Sequence, residues 1–134
     1  MTQAVTAQLR YYRMGPKKLR LIVDLIRGKR VTRAQSVLSL LNKKGAKPML
    51  KLLNSAVANA KHNHNLGLEN LIVKSIMVDG GPVLKRFMPK AHGRATPVRE
   101  RTSHVSLVLE ALEKKSEARN KKSETNSNIK NTKT

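Results

Sequence analysis

Cysteine and tryptophan are absent from this 134-residue chain, and acidic residues are few. Without cysteine there is no disulfide and no thiolate metal site. No apolar run approaches the roughly 20 residues that a membrane-spanning helix requires. The opening stretch MTQAVTAQLRYYRMG lacks the charged head, apolar centre and small-residue cleavage site of a secretory signal. Together these absences predict a cytoplasmic protein with no membrane partner. Tyr11, Tyr12 and Phe87 are the only aromatic residues. That scarcity weighs against RNA-recognition sheets and single-strand binders, which hold bases on aromatic rings. No nucleophile–base pair and no phosphate-cradling glycine loop is visible, so catalysis, a cofactor and a small-molecule substrate are not expected. His62 and His64 stand two apart near a helix end without nearby carboxylates or thiols, and are read as surface or RNA-facing imidazoles; no metal is expected.

What the chain has in excess is positive charge. Lys and Arg outnumber Asp and Glu by 28 to 8, for a formal net charge of +20. Self-repulsion at that density calls for a polyanion, and nucleic acid or an anionic surface are the usual ones. With so few rings, contacts to nucleic acid are expected mainly at phosphates, sugars and overall shape. From Glu110 onward the chain is EALEKKSEARNKKSETNSNIKNTKT, with seven basic and four acidic residues, so +17 of the charge belongs to residues 1–109. The length suits one domain. A fraying helical turn or two and then a disordered tail are expected from Glu110 on. The division drawn is a single domain over 1–112, including an extended hairpin at 80–104, and a basic, polar tail at 113–134.

The apolar spacing predicts three strands and three helices. QAVTAQLRYY alternates Ala4, Thr6 and Gln8 against Val5, Ala7 and Leu9, the pattern of a strand. MGPKKLRLIVDLIRGKR places Pro16 early and Gly28 at the stop, with Leu19, Ile22, Val23 and Ile26 on one helical face. Thr32 is the predicted N-cap of a second helix carrying Ala34, Val37, Leu38 and Leu41. A third helix is expected from about Lys47 to His62, striped by Met49, Leu52, Leu53, Ala56, Val57 and Ala60. LIVKSIMVD and SHVSLVLE read as strands. Helices cannot bury such stripes alone, so the expected fold is α+β: three helices packed on a small three-stranded antiparallel sheet, with a long protruding two-stranded β-hairpin.

Between the last two strands lies LKRFMPKAHGRATPVRERTSH, Leu84 to His104. It carries Lys85, Arg86, Lys90, Arg94, Arg99 and Arg101 against one acid, Glu100. If the flanking strands pair, the chain must reverse near Ala91–Gly93, and the first limb extends far past a compact domain. Gly80, Gly81 and Pro82 are expected to form a bend or bulge. An isolated two-stranded hairpin is marginal in water, and this one adds like-charge repulsion. Something outside the chain is therefore expected to hold it.

These residues carry a specific pattern. VDGGPVLKRFMPKAHGRATPVRERTSHVSLVLE closely resembles the long hairpin of the family of large ribosomal subunit protein twenty-two, bacterial type. A Gly-Pro step, a basic pair, a Met-Pro-basic-Ala-x-Gly-Arg-Ala tip and a basic-Thr-Ser-His return follow in order. GPKKLRLIVDLIRGKRVTRAQSVL and LLNSAVANAKHNHNL resemble its first and third helices, and the similarity spans about residues 4–110. The resemblance implies a ribosomal protein of translation that binds large-subunit (23S-type) rRNA, touches several rRNA domains and joins early in subunit assembly. It implies neighbouring large-subunit ribosomal proteins and the nascent polypeptide as further partners, with the hairpin tip lining the exit tunnel. Carried over by position, Lys85, Arg86, Lys90, Arg94, Arg99, Arg101, Thr102, Ser103 and His104 face rRNA, and Met88, Pro89, Lys90, Ala91, His92, Gly93 and Arg94 form the tip. Arg10, Arg13, Lys17, Lys18, Arg20, Lys29, Arg30 and Arg33 are the candidate phosphate contacts of the globular part. Three positions depart from the family pattern: Glu100 stands where a basic residue is common, which speaks against a phosphate contact there. Pro97 replaces an apolar strand residue, and Lys90 an arginine, removing bidentate geometry.

The competing reading is an architectural DNA-binding protein with a basic β-ribbon arm, in which Phe87 or Met88 would be the apolar wedge. A cationic protein on anionic membranes would need a helix with a strongly basic face opposite bulky apolar residues, for which the first helix is a weak candidate.

Overall fold

The computed structural model describes residues 4–111 of the chain. The expected tail over 113–134 and its helical start at residues 112 and beyond lie outside them. Strand β1 (Ala4–Tyr12) is followed by helices α1 (Pro16–Asp24), α2 (Val31–Leu40) and α3 (Ala46–His64), then by strands β2 (Leu71–Pro89) and β3 (Ala95–Ala111). The three strands form one antiparallel sheet in the order β1-β3-β2. The expected α+β fold is the observed one.

The helices lie against one face of the sheet because their stripes meet its inward residues. Leu19, Ile22, Val23 and Ile26 from the first helical segment, Ala34 and Leu38 from α2, and Met49, Leu52, Leu53, Ala56 and Ala60 from α3 form one cluster with Val5, Val73, Ile76, Val105, Leu107 and Leu109. Val37, Leu41 and Val57 close its rim half-buried. On the other face of the sheet, Thr6, Gln8 and Met77 are exposed, and none of the helices among the described residues covers them. Alternation along β1 therefore divides inside from outside, as its sequence predicts.

Several local details depart from the sequence reading. Regular α1 ends at Asp24, and tight turns carry the chain to Gly28, whose φ of +71° turns it back. The N-cap of α2 is Arg30 and not Thr32, and no side chain caps it. The reason is tertiary: the Gly28 N–H donates to Val73 O and the Val73 N–H to Lys29 O, both at 3.0 Å, so residues 28–30 are tied to the β2 edge before the helix begins. Glu110 and Ala111 extend β3 where a helical turn is expected. They pair with Ile72 and Leu71, Glu110 also lies opposite Ala4, and its carboxylate accepts from Lys74 Nζ at 2.7 Å. Strand pairing on both sides outweighs the helical preference of an EALEKK stretch.

The free edge of β2 has further partners. The Arg20 guanidinium donates to Val78 O (3.3 and 3.1 Å), and Arg27 donates to Ile76 O (3.0 Å) while pairing with Asp24 at 2.8 Å. Two cationic side chains of the α1 segment thus occupy carbonyls that would otherwise offer a pairing edge to another chain.

Candidate nucleic-acid interface

Beyond the helix-covered region, β2 and β3 leave the globular part as a two-stranded ribbon. The departure is marked by a bulge: Gly80 pairs with Ser103 and Val83 with Arg101, so Gly81 and Pro82 stand opposite Thr102 alone. Gly81 is required by close approach, because a Cβ there would collide with the Thr102 hydroxyl and come within 3.1 Å of His104 Nε2. Thr102 Oγ1 donates to Pro82 O at 2.6 Å, and Ser103 Oγ donates to Met14 O. These bonds fasten the root of the ribbon to its own bulge and to the loop before α1.

From there the register is regular: Leu84 faces Glu100, Lys85 Arg99, Arg86 Val98, Phe87 Pro97, Met88 Thr96 and Pro89 Ala95. Lys90 to Arg94 close the turn, with a 2.7 Å bond from the Lys90 N–H to Arg94 O. His92 and Gly93 adopt left-handed φ of 59° and 67°. Reversal at Ala91–Gly93 is thus where the sequence predicts it. Every residue from Lys85 to Arg101 is exposed. The arm reaches roughly 30 Å past Gly80 at about 3.3 Å per residue. Its two faces differ: one carries the directly opposed like charges Lys85 and Arg99 with Phe87 and Pro97, the other Leu84, Arg86, Met88 and Glu100. Directly opposed like charges destabilise a strand pair. Among the described residues the two ion pairs are Arg27–Asp24 and Lys74–Glu110, both outside the arm.

The predicted contact residues separate into groups. Arg13, Lys18, Arg99 and Arg101 come together around an open cleft of about 600 Å³ where the ribbon meets the start of α1, with Gly15, Leu84 and Glu100 also on its wall. Lys44 joins them from the loop before α3, a contribution that sequence reasoning missed since Lys43-Lys44 is spaced far from the other motifs. Lys17 is exposed near the same end of α1, whereas Lys29, Arg30 and Arg33 lie at the α1–α2 connection and the start of α2. Lys85, Arg86, Lys90 and Arg94 line the outer arm, exposed. Three positions have intramolecular work instead. Arg20 holds the β2 edge, as described above. Thr102 and Ser103, expected to face rRNA, are 5% and 0% exposed with their hydroxyls bonded inside the chain, because burial at the root of the ribbon outweighs the polarity read from sequence. His104, half-buried, accepts at Nδ1 from the Tyr11 N–H at 3.0 Å. Arg10 is exposed on β1 and donates to Gln8 Oε1.

His62 and His64 are exposed in the last turn of α3. Among the described residues no group of His, Cys, Asp or Glu gathers in the number that a metal ion needs, and no helix is long and apolar enough to cross a membrane.

Comparison with known proteins gives one answer. The family model described as ribosomal protein L22p/L17e matches residues 7–110. The large ribosomal subunit protein uL22 of Bdellovibrio bacteriovorus is 53% identical over 106 residues, covering 79% of this chain and 96% of that protein. Its counterpart in Desulfitobacterium hafniense is 50% identical over 113 residues, covering 84% and 97%. That of Caldicellulosiruptor saccharolyticus is 47% identical over 108 residues, covering 81% and 88%.

Proposed function

The chain belongs to the ribosomal protein L22p/L17e family and is a structural, non-enzymatic constituent of the large ribosomal subunit; from that premise we propose that it binds large-subunit (23S-type) rRNA through its arm and the basic cleft at the arm's root. The globular part sits near the outer mouth of the nascent-peptide exit tunnel, and the ribbon runs inward until Met88–Arg94 line the tunnel wall. Contacts to several rRNA domains follow from a single chain that presents Lys and Arg over so long a reach, and they suit a protein that joins early in assembly. Neighbouring ribosomal proteins and the passing nascent polypeptide complete its partners. Residues 1–112 act as one unit with 80–104 as its arm.

One observation carries this reading: from Lys85 to Arg101 the ribbon has no buried residue, yet it keeps a continuous register. A shape with no interior, whose charges repel across the strands, is stabilised by what surrounds it. RNA supplies both the phosphates and the confinement. The tip, nearly uncharged apart from Lys90, His92 and Arg94 and otherwise made of Met88, Pro89, Ala91 and Gly93, suits a narrow passage. The architectural DNA-binding reading gains no observation of its own, since Phe87 and Met88 are flanked by opposed cations along the arm and do not form a wedge at its end.

The experiment compares protease sensitivity of the arm in the free protein and in large subunits isolated through a high-salt wash. Cleavage between Lys85 and Arg101 in the free chain, with protection in the subunit, is the expected result. An arm equally protected in the RNA-free monomer would sink the proposal.

A further inference from the structure

The β1–β3 ladder contains an irregularity that turns Tyr12 onto the core and leaves Tyr11 outside it. Leu9 pairs with Val105 and Tyr12 with Ser103, so Arg10 and Tyr11 stand together opposite His104. Tyr11 takes a left-handed φ of 55°. For a bulky residue that is an outlier, and such conformations persist only where the surroundings hold them. Here they do: the Tyr11 N–H donates to His104 Nδ1 at 3.0 Å, and the two rings meet edge to face with centroids 4.7 Å apart at 86°. His104 is itself allowed its place by the missing side chain of Gly81. The outcome is a tyrosine 66% exposed, on the sheet face that none of the helices among the described residues covers. Its neighbours around an open cleft of about 300 Å³ are Gln8, Arg10, His104 and Ser106. Arg10 is held there by bonds of 3.2 and 2.9 Å to Gln8 Oε1, a pre-set cation beside the ring.

We propose that Tyr11, braced by His104 and flanked by Arg10, is a stacking platform for one unpaired nucleobase of the RNA. Backbone strain, an exposed aromatic ring, a positioned cation and a net basic chain coincide at one point, and the ligand chemistry that uses all of them is a nucleotide. In a chain with so few aromatics, rings do not tile the sheet; a single displayed ring reads one base while the rest of the surface meets phosphates. The inference rests on the rRNA-binding reading above and adds to it a contact with a base.

The test is filter binding of the full chain to in-vitro-transcribed large-subunit rRNA over a salt series, with thermal melting as the folding control. Tyr11→Leu is expected to weaken binding by roughly tenfold or more with the salt slope unchanged, while Tyr11→Phe stays within about twofold of wild type. Tyr11→Gly, which relieves the left-handed backbone, is expected to bind as weakly as Tyr11→Leu without melting lower than wild type. Unchanged affinity in Tyr11→Leu or Tyr11→Gly overturns the proposal. Equal weakening in Tyr11→Phe also overturns it, by placing the contact on the hydroxyl. A second arm replaces Tyr11 with p-benzoylphenylalanine in assembled subunits: a crosslink to rRNA supports stacking, and one to a ribosomal protein or a second copy overturns it. Should the wild-type chain prefer duplex DNA to this rRNA, the broader rRNA reading falls first, a result separable from normal rRNA binding by a Tyr11 variant.

Discussion

The same two strands, β2 and β3, build the sheet under the helices and the ribbon beyond Gly81, yet they do so under different physics. Under the helices, Leu71, Val73, Ile76, Val78, Val105, Leu107 and Leu109 are all buried, and each strand is stabilised by apolar surface removed from water. Past the bulge the register continues without a break, but every side chain from Lys85 to Arg101 meets solvent and Lys85 faces Arg99. Backbone pairing alone thus extends a strand where the hydrophobic effect has stopped. The first region carries its own stability, and the second, in the proposed function, is held by RNA.

The largest expected contrast is between apolar truncations on either side of the bulge. Leu53, fully buried in α3, should cost about 2–5 kcal/mol as Leu53→Ala, measured by urea unfolding. Phe87, 76% exposed on the ribbon, should cost less than about 0.5 kcal/mol as Phe87→Ala in the same assay. Equal losses would mean that the ribbon has an interior after all. At the boundary itself, Gly81→Ala forces a Cβ against Thr102 and should destabilise the free protein by about 1–3 kcal/mol, read from the unfolding midpoint. A neutral outcome would show that the bulge relaxes and that the two regions are less tightly joined.

Smaller effects sharpen the dependence on RNA. Replacing Lys85 and Arg86 together by Ala should leave the melting temperature in place and flatten the log–log salt dependence of rRNA binding by up to about two units. An unchanged slope would place those side chains in solvent. Lys85→Glu converts a repulsive cross-strand pair with Arg99 into an attractive one. It should stabilise the free ribbon by about 0.2–1 kcal/mol, visible as slower amide exchange around Lys85 and Arg99, while it weakens rRNA binding. Faster exchange would contradict the assigned register.

Much of this was legible in the residue pattern. Helical stripes such as Leu19, Ile22, Val23 and Ile26 announce themselves because a 3.6-residue period is a local property, and they are buried as their spacing predicts. The reversal near Ala91–Gly93 was readable from small residues between strands. The intramolecular bonds of Thr102 and Ser103 were not legible, because a hydroxyl reports polarity and not location: their partners, Pro82 O and Met14 O, are 20 and 89 residues away in sequence. Lys44 reaches the Arg13–Lys18–Arg99–Arg101 cleft by a route that no spacing rule encodes. Tyr11 gave no signal at all, since a bulge arises from the register between two strands and belongs to neither sequence alone.

Composition and periodicity by themselves settled the charge, the α+β class, the buried stripes and the length of an arm too basic to pack on itself, because each depends on residue type and near neighbours. Which cations gather at the arm's root, which hydroxyls turn inward, and how one tyrosine is pushed into a left-handed backbone and shown to solvent were decided only when β3 paired on both its edges, since those facts follow from residues that meet across the fold.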